Sequence, residues 1–302
     1  MLTDRGMTEA AHRALWQEAW QRFLQEKMAV MGSLILLLIM AAILFIPFLY
    51  TTSIDKINFA ESALPPSWHH PFGTNDLGQD QLARVLYGGR ISIAVGVCSM
   101  LVTILLGTAI GAIAGFYGGY IDLFLMRLTD LFLALPQLPL LLLVIFLFRD
   151  AIKAVVGPKI GIFILVTLII GGLNWMSVAR LVRASFLTVR EMDFVKAAIV
   201  MGATPQRLIW NHILPNSLSS VVVAATFSVG SAIITESTLS FLGLGFPPDV
   251  PTWGRMLYDA QNYLESAPYL ALFPGLAIFL TVLSINYIGE GLRDAMDPKL
   301  RG

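Results

Sequence analysis

Charged residues are scarce in this chain. Only 13% of its 302 residues are Asp, Glu, Lys or Arg, 56% are hydrophobic, and the mean hydropathy is +0.73. Roughly a quarter of the residues of a soluble domain are charged, so part of this surface is expected to face lipid. The 20 basic and 20 acidic residues balance to zero net charge, which provides no basic field for nucleic acid. The composition predicts a protein of the lipid membrane with no nucleic-acid partner.

Residues for metal and disulfide chemistry are equally few. Cys98 is the single cysteine, so neither a disulfide framework nor a thiolate metal site can form. The adjacent His69 and His70 leave a metal contact open, but an exposed proline-rich loop is the simpler explanation. No metal site is predicted.

Catalytic and nucleotide-binding signatures are also missing. There is no His-Glu-x-x-His or Gly-x-Ser-x-Gly motif, and the apolar segments hold too few ionisable residues for an acid–base pair, which argues against an intramembrane enzyme. No lysine follows a glycine, so the phosphate-binding loop G-x-x-x-x-G-K-[ST] is absent. The chain is predicted to carry no cofactor and to take any ATP-derived energy from a partner.

Long apolar runs are what the sequence has instead. A membrane-spanning helix needs about 20 mostly apolar residues, and six such spans predict an all-α polytopic membrane protein. The predicted spans are residues 29–50, 91–116, 123–148, 160–177, 217–244 and 269–289. The fourth is the weakest, because Gly171, Gly172 and Asn174 interrupt it.

Lys and Arg counts predict the orientation. With the N-terminus in the cytoplasm, the cytoplasmic segments hold twelve of these residues and the outer segments six. Both termini are therefore predicted to be cytoplasmic. The predicted divisions are a cytoplasmic or interfacial N-terminal helix (1–28), the first span (29–50), an extracytoplasmic loop (51–90), a five-helix core (91–291) with a cytoplasmic insert at 178–216, and a cytoplasmic tail (292–302).

Two further helical patterns are visible. Trp16, Trp20 and Phe23 share one helical face beside basic residues, which indicates a helix in the membrane interface; a plain cytoplasmic segment is the alternative. Glycines spaced by four in the second span predict close packing against another helix. These glycines are Gly107, Gly111, Gly115 and Gly119.

The insert between the fourth and fifth spans has the pattern of helix, tight turn, helix. Its first half places apolar residues at helical spacing, namely Phe194, Ala197, Ala198 and Met201. Gly202 stands where a left-handed residue ends a helix, and Ala203 continues the turn. Thr204 and Pro205 suit the cap and first position of the next helix. A unit this short cannot bury its own apolar faces, so it must pack on the spans, the interface or another protein.

Polar residues inside the predicted spans are functional candidates. Arg127 and Asp130 are three residues apart near Asp122, which predicts a structural pair on one helix face. The sequence around Glu236 forms the most polar patch. Thr235, Glu236 and Ser237, with Asn174 in the fourth span, are predicted to line a substrate pathway, although Glu236 pairing with another helix remains an alternative. The outer segment 245–260 is proline-rich and turns helical from about Trp253, as a gate, a docking surface or a loop cap.

Several motifs together resemble one family. The stretch KAAIVMGATPQRLIWNHILPN (196–216) has the spacing of the "EAA" loop of ABC importer permeases, with Lys196 where glutamate is usual and His212 where an apolar residue is usual. The segments FGTNDLGQDQLARVLYGGRIS (72–92), STLSFLGLG (237–245) and DPKL (297–300) resemble the C-type permease subunit of dipeptide and oligopeptide importers. Nickel and glutathione importers have similar permeases.

This resemblance implies a MetI-like permease core in a bacterial or archaeal plasma (inner) membrane. It implies pairing with a second homologous permease to form the pathway, and delivery of substrate by an extracytoplasmic binding protein. One or two ATPase subunits, which would hold ATP and Mg²⁺, would dock on the insert. The implied coupling residues are Phe194, Lys196, Ala197, Ala198, Met201, Gly202, Ala203, Thr204 and Pro205. The main alternative function is that of a secondary transporter, in which the cytoplasmic insert would have no obvious role.

Overall fold

Helices dominate the part of the chain that the computed structural model describes, which is residue 17 and residues 20–296. In chain order they are α1 (Lys27–Leu49), α2 (Gln81–Tyr117), α3 (Gly119–Ala134), α4 (Gln137–Val156), α5 (Pro158–Gly172), α6 (Trp175–Arg190), α7 (Asp193–Val200), α8 (Pro205–Phe241), α9 (Trp253–Ala260) and α10 (Tyr269–Met296). The only β pairing in this part is an isolated bridge between Thr74 and Asp80. The all-α prediction is confirmed.

Four helices, α1, α2, α8 and α10, are each long and apolar enough to cross a membrane. The pairs α3–α4 and α5–α6 qualify only when each pair is taken together, and they are bent by 88° and 41° at their breaks. The described chain therefore has four to six candidate spans. The predicted third and fourth spans are not single helices.

The breaks have local causes. Pro136 has no N–H to donate, and its ring disfavours helical geometry in the residue before it. Leu135 accordingly adopts ψ of 137° and ends α3. In the other pair, Leu173 ends α5 directly after two glycines, and α6 restarts at Trp175.

The bundle has two ends. At the loop end lie residues 50–80, which connect α1 to α2, and residues 242–268, which connect α8 to α10. At the opposite, knob end lies the knob, defined as residues 191–207, which contains α7. The predicted insert 178–216 contains the knob together with the end of α6, which runs to Arg190, and the start of α8, which begins at Pro205.

Three of the four predicted packing glycines bring α2 against α6. A Cβ at Gly107 would lie 2.6 Å from Val178 Cβ, one at Gly111 2.5 Å from the Ala179 carbonyl oxygen, and one at Gly115 2.6 Å from Phe186 Cβ. The prediction for Gly119 was wrong. A Cβ there would meet nothing within 4 Å, and its φ of +55° makes it a turn residue at the start of α3.

Two helices extend beyond the predicted spans that they contain. The helix of the second span begins at Gln81, because the Asp80 side chain accepts the Ala83 N–H at 2.8 Å and caps it. The helix of the fifth span begins at Pro205, before Pro215. A π-helical segment, Leu208–Ile213, widens the turn before this proline, so α8 continues through it.

Before α1, the structure describes residue 17 and residues 20–26. Residues 20–25 are helical, and Trp20 stacks on Phe23 with ring centroids 5.7 Å apart. Phe23 is buried beside Ala29 and Ala295, so it packs on α1 and α10. Trp16 and the 297–300 motif lie outside the described residues, and the predicted tail from 292 is helical up to residue 296.

Candidate functional site

The knob is closed by the predicted turn. Gly202 has φ of +80°, and the Ala203 N–H donates to the Ala198 carbonyl at 3.0 Å. The Thr204 side chain caps the next helix, and Pro205 takes its first position. These contacts satisfy main-chain groups at both helix ends, so the knob is a defined unit of structure.

The knob has a buried and an exposed face. Val195 and Ala198 are buried against α6 and the start of α8. Their buried neighbours are Val182, Phe186, Val189, Leu208 and Ile213. On the other face Val200 is 87% exposed and Met201 81% exposed, and Phe194, Ala197, Thr204 and Pro205 are exposed as well. Apolar side chains are thus presented away from the bundle on a firmly packed base.

Lys196 is partnered within the knob. Its Nζ lies 3.3 Å from Glu191 Oε2, and more than half of each side chain is exposed. A surface ion pair contributes about 0–1 kcal/mol, so this contact orients the lysine weakly. The lysine that departs from the family pattern therefore has an acidic neighbour in its own chain.

Two ion pairs fasten α6 to α3 beside the knob end. Arg183 donates from Nε to one Asp122 carboxylate oxygen at 2.5 Å and from a terminal nitrogen to the other at 2.6 Å. Arg180 pairs with Asp130. The predicted Arg127–Asp130 pair is therefore wrong, because α3 packs beside α6 and a cation from that helix reaches Asp130.

A cavity of about 240 Å³ opens between α6 and α8. Its lining mixes neutral polar and apolar residues: Asn174, Ser177, Val178, Leu181, Ala224, Phe227, Ser228 and Ser231. None of these residues is ionisable. Thr235 lies one turn beyond Ser231 and donates its hydroxyl to the Ser231 carbonyl at 2.8 Å. The cavity and this turn form one neutral polar wall.

Asn174 joins the two helix breaks. Its side-chain oxygen accepts from Gln137 Nε2 at 2.9 Å, and its side-chain nitrogen donates to the Ile170 carbonyl at 2.9 Å. Gln137 is the first residue of α4, after the α3–α4 break. The breaks of both bent pairs therefore meet beside the cavity.

Glu236 and Ser237 lie apart from this wall. Glu236 is fully buried, and its two carboxylate oxygens accept from Ser92 at 3.2 Å and from Ser240 at 2.7 Å. The Ser92 hydroxyl in turn accepts the Trp253 N–H at 3.2 Å. In this conformation Glu236 cannot reach a substrate, and it holds α2, α8 and the start of α9 together. The alternative of pairing with another helix describes it better than the pathway prediction.

The loop end carries a second polar cluster. Arg84 is buried and donates to Gln79 Oε1 at 2.8 Å. Asp259 on α9 accepts from Arg255 at 2.8 Å and lies 4.0 Å from Arg84. Burial raises the pKa of Asp259, and the two arginines oppose this effect. The predicted helix from Trp253 is confirmed. The indole N–H of Trp253 donates to the Val85 carbonyl at 3.0 Å.

Three polar residues of the cavity, all serines, were missed from the sequence. Ser228 and Ser231, with Thr235, recur at intervals of three and four, a polar stripe that helical periodicity could have revealed. Ser177 gave no such signal, because its position depends on where α6 restarts after the break. Of the predicted pathway residues, the structure places Asn174 and Thr235 at the wall and Glu236 and Ser237 behind it.

The described residues form a bundle of apolar helices with a knob at one end and a neutral polar cavity between α6 and α8. Residues 107–302 match the family described as "Binding-protein-dependent transport system inner membrane component". This match defines the class of the protein as a membrane component of a transport system. Residues 14–66 match the "N-terminal TM domain of oligopeptide transport permease C".

Curated relatives cover nearly the whole chain. The dipeptide transport system permease protein DppC of Alkalihalophilus pseudofirmus is 38% identical over 95% of this chain and 90% of its own. The glutathione transport system permease protein GsiD of Pectobacterium atrosepticum is 39% identical over 96% and 93%. The oligopeptide permease OppC of Bacillus subtilis is 38% identical over 95% and 91%. The chain belongs to the family of ABC importer permeases that includes DppC, OppC and GsiD.

A solved structure supports the fold. The inward-facing MetNI methionine ABC transporter matches with a TM-score of 0.55 over 71% of this chain and 97% of its own. The identity is 18%, so this likeness concerns the fold alone. It agrees with the predicted MetI-like core.

Proposed function

We propose that this chain imports short peptides across a bacterial or archaeal inner membrane, as one of two paired permease subunits driven by ATP. Both bent pairs then cross the membrane once each, which makes six spans. With the knob in the cytoplasm, both chain termini lie there too, as the distribution of Lys and Arg favours.

The proposal that the knob couples this chain to an ATPase subunit rests on the exposed apolar face of the knob. Val200 and Met201 are large apolar side chains that stand clear of the bundle, and exposed apolar patches outside the membrane mark docking surfaces. The ATPase subunit that this surface accepts would bind the ATP and Mg²⁺, and hydrolysis would move the knob.

The chemistry of the cavity favours peptides. Its serines and Asn174 offer hydroxyl and amide groups that can bind the polar main chain of any short peptide, while Val178, Leu181 and Phe227 offer apolar contact. A wall without fixed charge does not discriminate between acidic and basic side chains. The names of the relatives agree with this class, since glutathione is itself a tripeptide. An extracytoplasmic binding protein that docks at the loop end would select the substrate.

The test is a matched pair of charge insertions in the assembled transporter, reconstituted with its ATPase and binding-protein partners. Met201→Asp introduces a carboxylate into the exposed apolar face, and we expect ATP-driven dipeptide uptake to fall at least tenfold. Asn211→Asp adds the same charge at an exposed position of α8 outside the knob and should leave uptake within about twofold of wild type. Equal uptake by the Met201 variant and wild type would exclude this surface as the coupling site.

A further inference from the structure

Arg90 occupies an unusual position in the bundle. It lies on α2, and its Nε donates to the main-chain carbonyl of Ile43 on α1 at 3.1 Å. In a regular helix that carbonyl would accept the N–H of the residue four positions later. That residue is Pro47, which has no N–H. Arg90 therefore supplies the hydrogen bond that the proline leaves out.

The rest of the guanidinium is available for a ligand. Among residues 20–296, Arg90 forms no ion pair, and the Ile43 carbonyl is its one hydrogen-bond acceptor. Four of its five N–H groups thus have no acceptor from the described chain. Arg90 is exposed, so these donors are open to a molecule from outside the chain, and an arginine within membrane-spanning segments normally finds an anionic or carbonyl partner.

These donors open into a cavity of about 290 Å³ between α1 and α2. This volume is close to the lower end of known ligand pockets, roughly 300–1,000 Å³. Besides Arg90, its lining includes Thr51, Thr52, Tyr87 and Pro47. The cavity combines a cation, hydroxyl groups and an apolar floor.

The surroundings identify the ligand as part of the bilayer. On α1, Phe48 follows the cavity residue Pro47 and is 77% exposed, and Leu44 is 48% exposed, so this part of the helix surface is suited to acyl chains. Ile43 lies six residues before the end of α1, or about 9 Å along the helix axis. An arginine stem can place its charged group toward the headgroup layer from this depth.

We propose that the cavity between α1 and α2 binds the phosphate of a membrane phospholipid, with Arg90 as the phosphate ligand and Pro47 as the residue that positions it. Guanidinium and phosphate form strong paired hydrogen bonds, and basic pockets between spanning helices hold lipid headgroups. In the orientation proposed above, the lipid lies in the extracytoplasmic leaflet. The site itself does not depend on which substrate is transported.

The experiment measures binding of dihexanoylphosphatidylglycerol to the detergent-purified full chain by native mass spectrometry, with inorganic phosphate as a parallel probe. Arg90→Gln should raise the Kd for the lipid about tenfold, the loss of one charge-assisted contact. Arg127→Gln removes another exposed arginine, on α3, and should leave binding unchanged.

Pro47→Ala keeps the arginine and adds a main-chain donor for Ile43, so it does not weaken the helix. It should weaken lipid binding several-fold, because Arg90 loses its anchor. Unchanged lipid binding in both the Arg90 and the Pro47 variant would overturn the proposal. If inorganic phosphate binds as tightly as the lipid, the cavity is a site for free phosphate and the lipid proposal is wrong. Loss of a co-purified second permease in Arg90→Gln, with lipid binding intact, would assign the arginine to a protein interface.

Discussion

Glu236 shows at the scale of one residue how a carboxylate is accommodated inside an apolar bundle. Each of its oxygens accepts a hydroxyl, and these hydroxyls belong to Ser92 on α2 and Ser240 on its own helix. Through Ser92 the contact extends to the main chain at Trp253. A buried polar group with all its partners in place specifies one arrangement of the elements it touches.

Replacement of Glu236 separates a structural role from a transport role. Glu236→Ala leaves two buried hydroxyls without their acceptor and should lower the free energy of unfolding by about 2 kcal/mol or more. Glu236→Gln keeps one acceptor oxygen and should cost less. Thermal unfolding of the detergent-solubilised protein measures both changes.

The matching transport measurement is the KM for dipeptide uptake. We expect Glu236→Gln to leave KM unchanged once the amount of folded protein is taken into account. A variant with wild-type thermal stability but an altered KM would return Glu236 to the substrate pathway.

At the scale of helices, α2 and α6 are in contact over three glycines. No side chain separates the two main chains at Gly111, where the Ala179 carbonyl occupies the space that a Cβ would need. Such close approach is how helices associate in lipid, where hydrophobicity does not drive them together. The contact holds α6, and with it the knob, against α2, which is 37 residues long.

A pair of identical substitutions tests this contact. Gly111→Ala places a methyl group 2.5 Å from a main-chain oxygen and should destabilise the protein by about 1–3 kcal/mol through overpacking. Gly172→Ala, where a Cβ meets nothing within 4 Å, should be neutral or slightly stabilising, since alanine favours helix. Thermal midpoints that fall equally in both variants would contradict the packing explanation.

Features that depend on neighbouring residues in the chain could be predicted from the sequence, and features that depend on contacts between helices could not. The turn at Gly202, Thr204 and Pro205 was predictable because each residue acts on its immediate neighbours. Pro136 is visible in the sequence within an apolar run. The direction that α4 takes after this proline, however, depends on the helices that α3 and α4 pack against. The partners of Asp122 and Asp130 could not be read from spacing, because Arg183 and Arg180 reach them from another helix.

The same distinction applies to the candidate site. Asn174 and Thr235 were identified as polar residues in apolar segments; Asn174 lines the cavity, and Thr235 lies one turn beyond its lining residue Ser231. Glu236 satisfied the same criterion yet lies behind the wall, because helix rotation decides which side a residue faces. The lipid-facing composition, by contrast, is a property of the whole chain, so scarcity of charge predicted it well.

For the molecule as a whole, the orientation in the membrane is the next quantity to measure. A Cys98→Ser background removes the single natural thiol. Met201→Cys then reports on the knob end and Leu264→Cys on the loop end, since 81% and 54% of the native side chains are exposed. In intact spheroplasts an impermeant maleimide should label position 264 only, and position 201 should become reactive after lysis. The reverse pattern would invert the proposed topology.

The meeting of the two helix breaks at Asn174 and Gln137 has a mechanical consequence. Ion pairs tie α6 to α3, the glycine contact holds α6 against α2, and the knob is packed on α6, so these pieces form one packed unit. This unit borders α4 where α3 ends and α5 where α6 begins. Because α6 also lines the cavity, we expect a displacement of the knob to reach the cavity through α6, on the side where Asn174 joins the two breaks.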